Sequence, residues 1–504
     1  MKAKDWNSVI LIITTLALTF QEKIIREVYA MIYKPKTGSM WDPSVIWHDG
    51  RYYAFMMYNR DGNNGLDAGH CFLASSEDGA HWKDEGIVNE ERERERGCKF
   101  FKCFVGKCSD RFIMDHGVAR PEGQDVLRFY ESRNLKNWEY LFSSEPDPRW
   151  YTRGRWDHMY ILSKEEGNPS AGYYGYPVAN ANPEMPRGVG MMQSPDGLTW
   201  EVLPPAKVEW GDISPLDFEW GGCERIGGKY YLIGGTGGYV SNGYAMYVFI
   251  ADDPKGPFRP DPEAYRLCGS STNNVSWLAV WCRGKNEILI SNYTSIEHGN
   301  LSPWMLPMRK PVVDANGHLR LTWWSANELL KEKPISLAKT SVNLNTSKAD
   351  SDYQITWLDT TFDLQKGAIL EGTVNASTVN SGCTAGFVFD EGNGGSMAIQ
   401  LDIGAPDQRE THIGKLRKGT DGTFEFVSED VTGKYCATVT GIENCKEHTF
   451  RLLVRLSVFE LYIDDLLMQT YIYKPSGGKV GFLSRNAEVV FSDLKAWSMS
   501  LPAE

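Results

Sequence analysis

Three acidic residues could do chemistry together, because each lies in an aromatic segment at or just before the start of an apolar strand pattern. They are Asp42 in MWDPS, Asp157 in RWDHM and Glu219 in LDFEWGG. Carboxyl groups that share a small apolar space repel one another, so at least one is expected to keep its proton near neutral pH. A protonated acid beside an ionised one can cleave a glycosidic bond, since the first protonates the leaving oxygen and the second attacks the sugar or activates water. The three acids indicate carbohydrate chemistry if the fold brings them together.

The elements that must position these acids belong to an internal repeat. The segment SEDGAHW at 76–82 recurs as SRNLKNW at 132–138 and SPDGLTW at 194–200, with a degenerate copy ADDPKGPF at 251–258. The closing aromatic residues of successive copies are 56, 62 and 58 residues apart. Each copy follows an apolar strand pattern, which is typical of an outer hairpin with a tight turn.

A second element alternates with this hairpin and consists of a strand, a turn containing Gly and another strand. Examples are VIWHDGRYYAF at 45–55 and CERIGGKYYLI at 223–233. Together the two elements describe four-stranded sheets with a period of about sixty residues. The sequence predicts an all-β fold with a five-bladed β-propeller at residues 38–326, because radial repetition protects strand edges. Acids at the start of innermost strands would then converge in the central funnel.

The remaining segments follow other patterns. Residues 327–349 form a predicted linker with a short helical stretch stopped by Pro334, and residues 350–504 alternate as in a β-sandwich. In the N-terminal segment 1–37, the apolar run from Val9 to Phe20 resembles the core of a signal peptide, with a folded helix as the alternative. We expect a secreted or extracytoplasmic protein, which five Asn-x-Ser/Thr sequons would permit; a cytoplasmic location is the alternative.

Charge and cysteine spacing exclude several classes of partner. The net charge of −12 argues against nucleic acid, and the N-terminal apolar run is too short for membrane insertion. Cys98, Cys103 and Cys108 are spaced five residues apart, whereas zinc sites use closer pairs, so we predict no metal and no cofactor. The spacing of Cys436 and Cys445 would allow a disulfide across a hairpin. The expected partner is an oligosaccharide or polysaccharide substrate.

Two of the acidic segments resemble motifs of the clan J glycoside hydrolases, and of family 32 in particular. Trp41-Asp-Pro followed by a strand and Gly50 is similar to the first-blade motif of that family. The family's glutamate is followed nine residues later by Gly and then Lys-Tyr-x-Leu, and here Glu219 is followed by Gly228 and KYYL. This register selects Glu219 over its acidic neighbours, which are Asp212, Asp217 and Glu224.

The resemblance implies a retaining β-fructofuranosidase-type mechanism in a propeller followed by a sandwich. Asp42 would be the nucleophile, Glu219 the general acid/base, and Asp157 would stabilise the transition state. The residues expected to line the sugar subsite are Trp41, Arg155, Trp156, His158 and Trp220. For His158, a hydrogen-bonded structural role is the alternative.

The acidic segments also depart from the family motifs. The first-blade motif lacks its two asparagines in MWDPS, the Arg-Asp-Pro motif becomes Arg155-Trp-Asp, and the Glu-Cys motif becomes Glu219-Trp. An inverting family 43-like arabinofuranosidase, xylosidase or galactofuranosidase is therefore an alternative. Transglycosylation and a carbohydrate-binding propeller without catalysis also stay open.

Overall fold

The described part of the chain is built almost entirely from β-strands. The computed structural model describes residues 29–30, 33–60, 69–88, 99–119, 125–162, 172–185, 188–213, 215, 218–236, 244–270, 279–297, 300–346, 353–378, 382–392, 395–404, 410–432, 441–473 and 476–499. No helix in these ranges is long and apolar enough to cross a membrane. The apolar run from Val9 to Phe20 lies outside the described residues.

Five consecutive antiparallel sheets form the first domain. Blade 1 contains β2 (Ser39–His48), β3 (Arg51–Asn59), β4 (His70–Ser76) and β5 (His81–Val88), with β1 (Tyr29–Ala30) paired to β5. Blade 2 contains β6 (Lys99–Cys108), β7 (Arg111–Ala119), β8 (Asp125–Ser132) and β9 (Glu139–Ser144). Blade 3 contains β10 (Tyr151–Leu162), β11 (Tyr173–Ala181), β12 (Gly188–Ser194) and β13 (Glu201–Lys207). Blade 4 contains β14 (Phe218–Ile226), β15 (Lys229–Thr236) and β16 (Tyr244–Ala251), whose outer edge pairs with β17 (Arg259–Pro260) and β18 (Arg266–Ser270).

Blade 5 completes the ring and carries an inserted hairpin. Its strands are β19 (Val280–Arg283), β20 (Ile288–Ser291), β23 (Arg309–Val313) and β24 (Leu319–Trp323), and the hairpin between β20 and β23 is β21 (Tyr293–Glu297) with β22 (Asn300–Met305). The first strands of successive blades contact one another in the order β2, β6, β10, β14, β19 and back to β2. The ring closes by parallel pairing of Arg283 with Ile46. The predicted all-β propeller fold is confirmed.

The repeated hairpin is built by side chains that bind the turn backbone. In blade 1 the Ser76 hydroxyl accepts a 2.8 Å hydrogen bond from the Gly79 amide, and Asp78 Oδ1 accepts 2.7 Å bonds from the next two amides. Ser194 and Asp196 make the same contacts in blade 3. A serine and an acid at this spacing satisfy amides that the strand ladder leaves unpaired. The repeat therefore marks the connection between the third and fourth strands, as predicted.

The second domain is a sandwich of two sheets. One sheet has the order β35 (Leu466–Ile472), β34 (Val458–Ile463), β33 (Glu447–Arg455), β28 (Ala368–Thr378), β37 (Ala487–Met499) and β25 (Lys331–Ile335), with β26 (Val342–Asn345) also paired to β37. The other has the order β27 (Tyr353–Thr361), β36 (Lys479–Arg485), β29 (Thr384–Gly392), β30 (Gly395–Asp402), β31 (Thr411–Lys418) and β32 (Phe424–Thr432). Phenylalanines from both sheets pack between them, among them Phe387, Phe450 and Phe482.

The two domains share one continuous sheet. Thr322 at the edge of blade 5 pairs with Leu466 of the sandwich. Beside this junction Arg309 of blade 5 forms a fully buried ion pair with Glu460 of the sandwich. A buried pair of this kind costs desolvation, and it is stable only when both partners are held in place. The sandwich is thus packed rigidly against the propeller.

Two predictions about the connecting segments are corrected. Residues 331–345 are not a separate linker, because β25 and β26 pair with β37 and so belong to the sandwich. The helical stretch is a 3₁₀ helix, Ser325–Leu330, and Pro334 lies within β25, an edge strand where its missing N–H is tolerated. Cys445 is a free thiol, and Cys436, its suggested disulfide partner, lies outside the described residues.

Candidate active site

Each of the three predicted acids lies at or beside a one-residue bulge in the innermost strand of its blade. The pairing of β2 with β3 shifts between Trp41 and Ser44, which places Asp42 in the bulge. Shifts of the same kind follow Asp157 in β10 and Trp220, the residue after Glu219, in β14. A bulge interrupts the ladder and redirects side chains, and bulges are frequent next to active sites.

Asp42 has a strained backbone and a hydrogen-bond partner from blade 5. Its φ is 50°, a value uncommon for a residue other than Gly, and Pro43 follows it. The side chain is buried, and its Oδ1 accepts a 2.7 Å hydrogen bond from the Tyr293 hydroxyl. The conformation at Asp42 is therefore fixed by the bulge and by the hydrogen bond from Tyr293 of blade 5.

Asp157 and Glu219 are joined by the guanidinium of Arg155. Arg155 Nε lies 3.1 Å from Asp157 Oδ2, and its Nη2 donates to Glu219 Oε1. Residues two apart on a strand point to the same face, which explains why Arg155 can reach Asp157 although a Trp separates them. Burial alone would lower the pKa of Arg155, but the two carboxylates raise it well above its usual value. Arg155 therefore stays cationic and offsets the repulsion between the acids.

Tyr293 is a site residue that sequence reasoning missed. It begins β21, and burial followed by the charges of Asp42 and Glu219 raises its pKa well above 10.0, so the hydroxyl stays a hydrogen-bond donor. The preceding residue, Asn292, begins one of the five Asn-x-Ser/Thr sequons. It is buried, and its Oδ1 accepts a 2.7 Å bond from Arg309, so it is not an accessible glycan acceptor. The sequence signal that could have identified Tyr293 was its position two residues after the second strand of blade 5. We call Asp42, Asp157, Glu219, Arg155 and Tyr293 the acid cluster.

Two residues predicted to line the sugar subsite are fully buried instead. Trp156 has 0% exposure and packs against Tyr151 in the core between blades 2 and 3. His158 also has 0% exposure; its Nε2 lies 3.0 Å from the Trp220 carbonyl and its ring stacks on Phe104. Alternation along β10 turns Trp156 away from the side occupied by Asp157. His158 is the extra residue of the bulge, and its Nδ1 lies 3.2 Å from Asp157 Oδ1. The prediction that they contact a sugar is corrected. Both side chains instead pack in the interior around β10.

Trp220, by contrast, borders a cleft that opens beside Arg155. The cleft has a volume of about 450 Å³ and lies between blades 3 and 4. Trp41 is buried and does not border this cleft. The cleft is bordered in addition by Ala179, Asn180, Ala181, Asn182, Pro183, Met185, Gly188, Trp210, Pro215 and Phe218. Neutral amides, two indoles and one cation suit an uncharged polar ligand such as a sugar.

The structure separates Glu219 from the nearby acids that could have taken its place. Glu224 lies deeper in the propeller, where it accepts hydrogen bonds from the Tyr160 hydroxyl and from Arg283. Its side chain is 1% exposed, whereas that of Glu219 is 19% exposed. Burial raises the pKa of Glu224 despite the opposing charge of Arg283. We call Tyr160, Glu224 and Arg283 the channel cluster. Asp212 is exposed, and Asp217 lies outside the described residues.

Potential metal ligands occur elsewhere in the described chain. Asp402, Glu410 and His412 of the sandwich are the one group in the described residues whose ligand atoms all lie within 4.8 Å of one another. Cys108 of blade 2 is buried, and burial raises its pKa to about 12, which disfavours the thiolate that a metal needs. Neither feature belongs to the acid cluster. The chemistry available there is that of carboxyl groups, one guanidinium and one phenol.

Comparison with known proteins gives a clear answer for the fold. No protein-family model matches the sequence, and no curated protein matches it significantly. Solved structures do match over nearly the whole chain. The GH32 β-fructofuranosidase of Bombyx mori has a TM-score of 0.64 at 12% identity, covering 94% of this chain and 93% of its own. This chain has the fold of the family 32 glycoside hydrolases.

Two further family 32-like structures have microbial sources. The sucrose-6-phosphate hydrolase of Lactobacillus gasseri has a TM-score of 0.65 at 14% identity, covering 94% of this chain and 93% of its own. The exo-inulinase of Aspergillus awamori has a TM-score of 0.63 at 13% identity, covering 94% of this chain and 98% of its own. Coverage of both chains includes propeller and sandwich, so the two-domain family 32 fold extends over the whole described chain.

Proposed function

We propose that this protein is a glycoside hydrolase that removes terminal β-fructofuranosyl units from oligosaccharides by double displacement. The observation that carries the proposal is the acid cluster, in which three carboxylates from blades 1, 3 and 4 are fixed by Arg155 and Tyr293. Two carboxyl groups across a glycosidic bond are sufficient for this reaction. The third carboxylate and the guanidinium can bind the hydroxyls of the sugar.

Asp42 is proposed as the nucleophile. Tyr293 binds its Oδ1 and sets the orientation of the carboxylate, so that attack on the anomeric carbon needs little rearrangement. The bond that forms joins an Asp42 oxygen to the anomeric carbon, and the bond that breaks joins this carbon to the leaving oxygen. Water then cleaves the covalent intermediate in the second step.

Glu219 is proposed as the general acid and base. It gives a proton to the leaving oxygen in the first step and takes one from water in the second. Its side chain is partly exposed, which allows both the leaving group and water to reach it. Asp157, held by Arg155, is placed to bind sugar hydroxyls and to stabilise the positive charge that develops on the ring.

The names of structural neighbours support the substrate class. A variant of the Bombyx mori enzyme was solved in complex with sucrose, and a variant of the Schwanniomyces occidentalis fructofuranosidase with fructosylnystose. Both ligands are neutral oligosaccharides, which agrees with the largely uncharged lining of the cleft here. The proposed leaving group is therefore a sugar unit.

A substrate panel with anomeric analysis tests the proposal. Sucrose, inulin, levan and aryl arabino-, galacto- and xylosides are incubated with the protein, and the first products are followed by proton and carbon NMR. Release of β-fructose supports retention. Inversion on an arabinoside or xyloside supports the family 43-like alternative, and sugar binding without turnover supports a propeller without catalysis. Adding excess free sugar as acceptor separates transfer from hydrolysis.

A further inference from the structure

A fourth carboxyl group lies directly behind the acid cluster. Asp115 is on β7, the second strand of blade 2, and its side chain is fully buried. Its Oδ1 accepts a 2.7 Å hydrogen bond from the backbone amide of Met159 in blade 3. Its Oδ2 is buried without a hydrogen-bond partner. A buried carboxyl oxygen without a partner costs folding free energy, so its presence at this position needs an explanation.

The amide that Asp115 binds belongs to the bulge beside Asp157. The pairing of β10 with β11 shifts between Asp157 and Met159, so one residue of β10 has no paired residue on β11. A bulge leaves backbone groups that the ladder cannot satisfy. Asp115 supplies the missing acceptor from the neighbouring blade. The backbone two residues after Asp157 is thereby tied to blade 2.

The same strand contacts Asp157 at a second point. A Cβ added to Gly117 would lie 2.7 Å from the Asp157 Cβ, which is closer than real side chains approach. The absence of a side chain at Gly117 therefore lets β7 pack directly against the base of Asp157. Asp115 and Gly117 lie two apart on β7 and so point to the same face.

The charge state of Asp115 fits a supporting role. Burial raises its pKa well above the ordinary 3.8, the Met159 hydrogen bond opposes this, and repulsion from Asp157 adds to it. Its neighbour His116 has a pKa lowered to about 3 by burial and by Arg128, so it is also neutral. Asp115 can therefore accept a hydrogen bond without adding charge beside Asp157 and its partner Arg155.

We propose that Asp115 is a positioning residue, which holds the bulge beside Asp157 through its hydrogen bond to the Met159 amide and so sets the direction of the Asp157 carboxylate. This inference rests on the proposed function for its effect on catalysis. It predicts that the neutral shape of the side chain matters and that a negative charge does not. Asparagine keeps that shape and an acceptor oxygen, whereas alanine removes the acceptor.

Kinetics on the fructoside that the wild-type protein cleaves give the first test. Asp115→Asn should keep kcat/KM within about 3-fold of wild type, and Asp115→Ala should lower it by about 10-fold or more. In an Asp157→Asn background, Asp115→Ala should cost less than about 2-fold, because the two residues act as one unit. Full additivity of the two losses would overturn the proposal. Asp115→Ser replaces the alanine variant if the latter does not fold.

Amide exchange tests the geometry without any need for activity. Hydrogen–deuterium exchange in peptides covering 155–162 should accelerate in Asp115→Ala and stay at the wild-type rate in Asp115→Asn. Unchanged exchange in the alanine variant would overturn the proposal. A protein that cleaves no fructoside but shows this exchange pattern would refute the proposed function and leave the role of Asp115 in place.

Thermal unfolding tests the neutral state of Asp115. A carboxyl group with a raised folded pKa stabilises the fold below its ordinary 3.8 and loses this contribution as the pH rises towards the folded value. Asp115→Asn should therefore gain in Tm relative to wild type as the pH is raised through a window that starts at about 4. A constant Tm difference across this window would show that Asp115 carries charge in the fold and would contradict the proposed support.

Discussion

The acid cluster and the channel cluster share the innermost strands β10 and β14 but have opposite properties. Glu219 and Glu224 are both on β14, each bound by an arginine from a neighbouring strand. Glu219 borders solvent and shares its arginine with a second acid, whereas Glu224 is sealed between Tyr160 and Arg283. Similar residue types can therefore serve chemistry or packing, and the difference is set by depth along the strand. The predictions below substitute matched residues of the two clusters.

Removal of the nucleophile should have the largest effect. Asp42→Asn keeps the shape of the side chain and the Tyr293 contact but cannot form the covalent intermediate. We expect kcat on the cleaved fructoside to fall by at least about 10³-fold, as for other enzymes that lose a nucleophile. Steady-state kinetics measure this, with circular dichroism as the control for folding. Activity above a few per cent of wild type would exclude Asp42 as the nucleophile.

The second largest effect is expected from substituting the two arginines, Arg155 and Arg283, whose variants should differ in activity. Arg155→Gln leaves Asp157 and Glu219 without their shared cation, so kcat/KM should fall by about 10²-fold, the cost typical of a lost electrostatic partner. Arg283→Gln should keep kcat/KM within about 5-fold and lower Tm instead, because the buried Glu224 carboxyl group would lose its hydrogen bond from Arg283. Equal losses of activity in both variants would remove the distinction between the clusters.

The two tyrosines extend the comparison to hydrogen bonds. Tyr293→Phe deletes the donor to Asp42 and should lower kcat by about 10- to 100-fold, which corresponds to about 1.5–3 kcal/mol for a bond to a charged group. Tyr160→Phe deletes the donor to Glu224 and should change stability rather than rate. Rate measurements and thermal melts of both variants separate the roles. A Tyr160 variant slower than the Tyr293 variant would reverse the assignment.

The smallest expected effect concerns the pH dependence of stability. The folded pKa of Glu224 is raised above its ordinary 4.5, so its stabilising contribution is lost as the pH rises from that value. The Tm of Glu224→Gln relative to wild type should therefore improve by a few degrees, about 2–4 °C, between pH 4 and 7. Melting curves at the two values check this. A change in the opposite direction would mean that Arg283 keeps the acid charged in the fold.

Much of this architecture could be predicted because it depends on local chemistry. The recurring serine, acid and aromatic residues specify a turn by hydrogen bonds within a few positions, so the repeat reveals the blades. The choice of Glu219 over Glu224 came from the resemblance to the family 32 motif, in which a Gly follows the glutamate by nine residues. Their difference in burial agrees with that choice.

Other features depend on contacts between distant strands and left no local signal. Tyr293 reaches Asp42 from 251 positions away in the sequence, and Asp115 reaches Met159 across a blade boundary. The burial of His158 depends on the bulge in β10, in which it is the extra residue, and this bulge was not visible in the sequence. The segment at 331–345 looked like a linker because its pairing partner, β37, lies about 150 residues further on.

The most direct test of the account compares fructose release by Glu219→Gln and Glu224→Gln at equal concentrations of folded protein. Both variants lose one carboxylate from the same strand, so general damage to β14 affects them alike. The account predicts that Glu219→Gln loses at least about 10³-fold in kcat yet still binds the substrate, while Glu224→Gln stays within about 5-fold of wild type. Wild-type rates from Glu219→Gln would contradict it.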